Sequence, residues 1–467
     1  MNFLQIKIMK FNSHIAKISV FAFAISLLNA CASFHEQVGK DFSRDMITNE
    51  GKGILLHEIV VVGDAGNANE PQGQQLLQTV ESYLKQSDNN KTLLFIGDNI
   101  YPLGMPKVGD KDRLLAEEKL NAQTNLAQSV NGKTIFLAGN HDWYHGLDGL
   151  LEQKAYVESK LGKKSFLPKK HDAIDVVEVN DKLSIITVDS EWFIQNWDKH
   201  PNINEESAIK TREDFFEEFR SLINKNQNKV TVVAIHHPMI TNGNHGGNFS
   251  ARNHLFPYKK VPLPVLGSIG NYLRKTSGAS PADMQHTYYR MMVDRLKTLT
   301  KDKEQVVFVS GHEHNLQYIE NDGIKQLISG SGSKTEETRS VQPTSYTIGS
   351  LGFATLKIYE DHHVDVFIHK MTESGEETVF KKTIMCPDDY SGNYPEVTQT
   401  TTMASVYPPE ETKKSKTYRY LFGNHYRSIY GTKVNTPVAN LETLYGGLKP
   451  MISGGGNQSL SLWLQDK

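Results

Sequence analysis

Short apolar runs that end in small polar islands recur along this chain, and they constrain its fold more than any other feature. The islands read Gly63-Asp64-Ala65-Gly66, Gly97-Asp98-Asn99-Ile100-Tyr101, Gly139-Asn140-His141-Asp142, His236-His237-Pro238 and Gly311-His312-Glu313-His314. Four of the five come directly after an apolar run. The runs at 59–62, 92–96, 134–137, 183–188, 230–235 and 305–309 are short, β-branched and bounded by polar residues, which predicts strands. Amphipathic stretches at 72–85, 111–129, 150–161, 211–224 and 283–299 predict helices between them, the last with Met284, Tyr288, Met291 and Leu299 on one core-facing side. Alternation of this kind argues for an α/β sheet with covered faces. Ligand sites in such sheets gather just beyond the carboxyl ends of strands, so a single location would collect the islands.

The islands carry metal-binding chemistry. Asp64 and Asp98 are hard anionic ligands, Asn140 offers a neutral carbonyl oxygen, and His236, His312 and His314 offer imidazole nitrogens. Tyr101, once deprotonated, is a hard phenolate suited to a trivalent ion such as ferric iron. His312 and His314 are two positions apart, so in an extended segment they point the same way and Glu313 points opposite. His236 and His237 diverge, and only one of them is expected to bind. The set is large enough for two ions. Each island alone is weak: Gly-Asp is a common turn, and a lone tyrosine is more often a packed aromatic. Gly-Asn-His occurs at Gly139, Gly243 and Gly423, and the last lacks a trailing Asp and stands out of order, so His425 reads as a loop residue. Five islands in register make coincidence remote. His145 reads as a rim or surface residue, and Trp143 and Tyr144 as pocket lining or a packed corner.

The order and spacing resemble the calcineurin-like metallophosphoesterases, and within them the purple acid phosphatases of the tartrate-resistant type. Many relatives carry Asp-x-His at the first island, where this chain has Gly66, and Tyr101 stands four residues after Gly97, as in the purple branch. The resemblance covers residues 54–377. It implies a four-layer α/β/β/α sandwich. It implies that Asp64, Tyr101 and His314 hold Fe(III), that Asn140, His236 and His312 hold a divalent zinc, iron or manganese ion, and that Asp98 bridges the two. His236 is chosen over His237 because the family's ligand lies two residues before the proline, here Pro238. His141 and His245 match histidines that contact phosphate or protonate the leaving group, and His245 follows His236 by the family spacing. Three ligand negative charges and a bridging hydroxide against five metal charges leave a net of about +1, which attracts a phosphate dianion and still releases it. The implied activity is hydrolysis of phosphate monoesters with a metal-bound hydroxide as nucleophile. The alternatives are a phosphodiesterase or nucleotide hydrolase on the same centre, and a catalytically silent binding module on this fold.

The ends of the chain are different material. Residues 1–28 carry Lys7, Lys10 and Lys17, no acidic residue, and an apolar stretch at 18–28 too short to span a bilayer, which describes an export signal. Leu28-Asn29-Ala30-Cys31 resembles a bacterial lipoprotein box with Asn29 in place of a small residue. Residues 1–30 would then be removed and Cys31 lipidated, tying the protein to the bacterial cell envelope at the outer membrane. An ordinary signal peptide with an incidental cysteine is the alternative. Cys386 is the only other cysteine, so no disulfide framework is expected. Residues 31–53 read as a tether and 54–385 as the catalytic domain. Residues 386–467 read as a loop-rich extension resembling connectors that precede outer-membrane barrels. With 51 basic and 53 acidic residues, no nucleic-acid partner is expected. The Gly-, Asn-, His- and Pro-rich segment 241–282 reads as a long irregular insert.

Overall fold

The computed structural model describes residues 32–48, 52–86, 90–169, 172–257 and 261–386. The signal segment, Cys31, His425 and the extension beyond Cys386 lie outside them. The strands are β1 (Gln37–Val38), β2 (Asp45–Met46), β3 (Leu55–Val62), β4 (Lys91–Ile96), β5 (Lys133–Leu137), β6 (Ile174–Glu178), β7 (Leu183–Val188), β8 (Val230–Ile235), β9 (Val306–Ser310), β10 (Leu316–Asn321), β11 (Ile324–Ser329), β12 (Ser345–Ile348), β13 (Gly352–Tyr359), β14 (Val364–Thr372) and β15 (Gly375–Met385). They form two mixed sheets, ordered β1-β12-β10-β11-β9-β8-β7-β6 and β2-β15-β14-β13-β3-β4-β5. In the second sheet β3, β4 and β5 run parallel, and in the first β7, β8 and β9 do.

Side-chain alternation builds the layers. Ile59, Val61, Leu94, Ile96, Ile135 and Leu137 pack in one core with Ile185, Val232, Val307 and Val309 of the other sheet. The intervening Val60, Val62, Leu93, Phe95 and Phe136 face the opposite way and pack with Leu76, Val80 and Leu120 of the helices. Every one of these side chains is buried on both sides of its strand, which is why the runs are continuously apolar. The result is the expected sandwich of two sheets between helices. The helices Pro71–Lys85, Arg113–Ser129, Gly146–Leu161, Arg212–Lys225 and Thr287–Thr300 lie where amphipathic patterns predict them. Arg212–Lys225 starts from a reciprocal Thr211/Asp214 capping box and buries Phe215, Phe216, Phe219, Leu222 and Ile223.

Several expectations need correction. The segment read as a tether supplies an edge strand to each sheet: β1 pairs with β12 and β2 with β15. Its polar side chains suit edge strands that face solvent. The insert is not irregular throughout, for it contains the helices Ala251–Leu255 and Pro264–Ser277. In Thr287–Thr300 the fully buried side is Tyr289, Met292, Val293 and Leu296, one position round from the predicted face, and Met284, Tyr288, Met291 and Leu299 pack only at its margin. Strands β6, β10, β11 and β12 carry too many polar residues to stand out in the sequence. No described helix is long and apolar enough to cross a membrane.

Candidate metal centre

The islands converge from both sheets. Asp64, Asp98 and Asn140 follow β3, β4 and β5, while His236 and His312 follow β8 and β9, so the cluster lies at the carboxyl ends of five parallel strands. Backbone bonds lock the turns together: Asp64 N–H donates to Gly97 O at 3.0 Å and Gly311 N–H to His236 O at 3.1 Å. Asp64, Asp98 and His312 hold left-handed backbone (φ 59°, 55° and 71°), strain of the kind concentrated at functional sites. Glycine is required beside them. A Cβ at Gly139 would lie 2.2 Å from Asp98 Oδ1, and one at Gly311 2.5 Å from Asp64 Oδ2.

Two groups of ligand atoms result. In the first, Tyr101 Oη donates to Asp64 Oδ1 at 2.7 Å and lies 3.2 Å from His314 Nε2. Ligand atoms of Asp64, Asp98 and His314 lie within 4.8 Å of one another. In the second, His236 Nε2 lies 3.4 Å from Asp98 Oδ1, and His312 Nδ1 lies 3.1 Å from Asn140 Oδ1. Asp98 belongs to both groups.

The donor chemistry of the second group suits a cation. A backbone carbonyl can only accept, so Ile96 O, 2.9 Å from His236 Nδ1, takes the proton of that ring, and Ala282 O, 2.7 Å away, takes the Nε2 proton of His312. In the neutral rings this leaves His236 Nε2 and His312 Nδ1 as lone pairs. Burial, with His245, His237 and His236 nearby, pushes the His312 pKa well below the usual value and keeps it neutral. Asn140 Nδ2 donates to Tyr144 Oη at 2.6 Å, which aims Oδ1 at His312. Acceptor therefore faces acceptor at both contacts, and buried His236 Nε2 has no hydrogen-bond partner. Buried acceptors in this arrangement are satisfied by a metal ion. The first group fits as well. Burial and the Asp64 and Asp98 carboxylates drive the Tyr101 phenol pKa well above its usual value, so a phenolate there requires strong positive charge beside it. Burial alone would raise the Asp98 carboxyl pKa, but positive charge at the His236 and His141 positions lowers it below the usual carboxylate value, so this carboxylate is stabilised by cations on both sides.

A supporting shell surrounds the ligands, and most of it escapes sequence reading. Glu336 Oε1 lies 3.1 Å from His314 Nδ1 and turns Nε2 toward Asp64; despite burial and Lys334, this partner and Asp64 raise the His314 pKa to about 9. Asp142 accepts from Asn99 N, Gly139 N and Gln153 Nε2, tying the second island to the third. Residues 312–315 bend rather than extend, so the alternation expected of an extended segment does not apply; Glu313 accepts from Thr241 Oγ1 and His245 N, while His312 and His314 enter different ligand groups. His141 donates its backbone N–H to Asp98 Oδ1 at 3.0 Å, and burial lowers its ring pKa to about 4. The His245 ring packs tilted against that of His312, 4.1 Å between centroids, with Nδ1 3.0 Å from Asp283 Oδ1. His237 packs between Tyr289 and His312, its ring centroid 4.3 Å from that of His312, and its Nδ1 bonds Ser190 Oγ rather than a ligand atom of the cluster. Trp143 is buried with Nε1 on Asp189, and His145 is exposed. Glu336, Asp283 and Lys334 sit outside any island and carry no sequence signal, whereas His141, Asp142 and Glu313 stand inside islands.

The sandwich of two sheets with this ligand cluster at its parallel strand ends defines a metallophosphoesterase. The sequence profile of the calcineurin-like phosphoesterases matches residues 57–330, and the chain belongs to that family. No curated protein matches it. Among solved structures it is similar to GAP50, the anchor in the inner membrane complex of Plasmodium, with 16% identity over 71% of this chain and 90% of that one, TM-score 0.46. It is also similar to the purple acid phosphatase PPD1 of yellow lupin seeds, with 15% identity over 75% of this chain and 57% of that one, TM-score 0.41.

Proposed function

We propose that this protein is a phosphatase that hydrolyses phosphate monoesters at a binuclear centre. Asp64, Tyr101 and His314 would hold ferric iron, Asn140, His236 and His312 a divalent zinc, iron or manganese ion, and Asp98 both. The observation that carries this reading is the pair of acceptor-to-acceptor contacts, His236 Nε2 with Asp98 Oδ1 and His312 Nδ1 with Asn140 Oδ1, beside the buried Tyr101–Asp64–His314 group. Two cations held there would supply positive charge for the phosphoryl oxygens and activate water. The protein's own part is positioning, the main requirement of phosphoryl transfer. Asp283 accepts from Nδ1 of His245, so the second proton of the imidazolium form sits on Nε2, from which it would pass to the leaving-group oxygen. His141, anchored through Nδ1 to Pro102 O, is the second candidate phosphate contact.

Metal quantification on active protein, with turnover of an aryl monophosphate against a bis-aryl phosphate, tests the reading. Two metals per chain, one of them iron, and preference for the monoester are expected. Preference for the diester would overturn the substrate class, and an empty site in folded protein would overturn the catalyst. We also propose that Cys31 is lipidated and that the protein resides in a bacterial envelope. Loss of metabolic fatty-acid labelling in Cys31→Ser is the expected result.

A further inference from the structure

The helix Pro264–Ser277 is inside out. Its buried positions are Gly267, Asn271 and Arg274. Its large apolar side chains face solvent: Val265 is 70% exposed, Leu266 59%, Ile269 50%, Tyr272 67% and Leu273 49%. These positions follow a 3.6-residue period and form one face. The inner side is satisfied by other means. A Cβ at Gly267 would lie 2.3 Å from His254 O, so the backbones pack directly, and Arg274 forms a two-pronged pair with Asp283 at 2.9 and 2.7 Å. The outer apolar face is therefore not needed to close the core, and exposed Val261 extends it.

Charge and position say what covers it. Segment 241–282 contains no Asp or Glu, in a chain whose overall net charge is only -2, and its Arg252 and Lys275 are exposed, whereas Arg274 is neutralised by Asp283. An exposed apolar helix face with basic side chains and no acidic ones beside it suits the interface of an anionic bilayer. The N-terminal end of the described chain comes to the same spot. Ala32 bridges Ser250, and Ser250 caps the helix Ala251–Leu255 that precedes Pro264–Ser277 in the chain. Cys31 is bonded to Ala32, so an acyl anchor on it would enter the bilayer beside the apolar face.

We propose that the helices Ala251–Leu255 and Pro264–Ser277 form a membrane-docking surface, with the apolar face of the second lying in the headgroup boundary of an anionic bilayer. Docking there orients the metal centre relative to the lipid, because Arg274 holds Asp283 and Asp283 holds His245. The choice of occupant draws on the anchored reading of Cys31 but not on the metal chemistry. The test omits the acyl chain, so the two readings fail separately. Full-length chain carrying Cys31→Ser and Cys386→Ser receives a bimane probe at Ile269→Cys or, as a control, at Ile54→Cys, exposed at the opposite end of β3. Vesicles of phosphatidylglycerol with phosphatidylethanolamine should blue-shift the probe at 269 and not at 54, and pure phosphatidylcholine should do so weakly. Adding Val265→Ser and Leu266→Ser should raise the lipid concentration for half-shift about ten-fold. An equal shift at both positions, no shift at 269, or a shift unchanged by the serines would overturn the proposal. A lipid-independent shift that grows with protein concentration would assign the face to a second copy of the chain instead.

Discussion

The carboxylate of Asp283 sits 3.0 Å from Nδ1 of His245, 38 positions earlier in the chain. The same carboxylate pairs with Arg274, and all three groups are buried. Burial alone would raise the Asp283 pKa, but Arg274 and His245 outweigh it and keep the carboxyl ionised. Removing one partner strands a buried charge. Asp283→Ala should therefore cost about 3–5 kcal/mol in urea unfolding. Asp283→Asn, which keeps the shape, should cost less in stability while lowering turnover at saturating substrate with metal content unchanged. Equal loss of metal and turnover in Asp283→Asn would show that the residue serves the ligands and not His245.

Glu336 acts on His314 from behind, at 3.1 Å from Nδ1. A carboxylate in that position orients the ring and raises its basicity. Glu336→Gln should weaken metal affinity by roughly 10–100-fold in competition with a chelator.

Tyr101 bears on the proposed iron. A ferric phenolate absorbs visible light, so metal-loaded protein should be coloured and Tyr101→Phe should bleach it. Colourless wild-type protein of full activity would remove iron from the proposal and leave the hydrolase.

Gly139 has no room for a side chain, because a Cβ would meet the backbone nitrogen of Asp98 at 2.5 Å as well as its carboxylate. Backbone cannot swing aside as a flexible side chain can. Gly139→Ala should displace Asp98, lower both metal content and turnover at least ten-fold by the usual cost of a misplaced first ligand, and keep the far-UV circular dichroism of the folded chain.

His369 is buried between Phe353 and Tyr83, with ring centroids at 4.7 and 4.9 Å. Burial, aided by Lys357, lowers its pKa to about 3. The folded value lies below the unfolded value of 6.5, so the unfolded chain binds the extra proton. The stability contribution is complete above pH 6.5 and is lost as pH falls toward 3, at up to about 1.4 kcal/mol per pH unit. His369→Phe should show a shallower acid limb in urea unfolding measured across that range. An unchanged slope would assign acid lability to other groups.

Much of the fold was legible because it rests on local patterns. The parallel strands are continuous β-branched runs, and each predicted strand has its counterpart within a few residues. The edge strands β1 and β2 were not legible, since a two-residue strand carries no periodicity and is created by its neighbour. The helix Pro264–Ser277 was missed for a related reason. Three prolines precede or open it, and its apolar face does not point to the core, so the stretch reads as a loop.

The amino-acid order by itself determined which side chains could coordinate, because ligand chemistry and its position after a strand are local properties. It also determined that they would gather, because parallel strands end on one side of a sheet. Tertiary structure alone decided that Asp98 reaches both ligand groups, that Ile96 and Ala282 select the tautomers of His236 and His312, and that Glu336 and Asp283 stand behind the imidazoles. Those relations join residues far apart in the chain, and their distances are set by how two sheets pack, which no local pattern encodes.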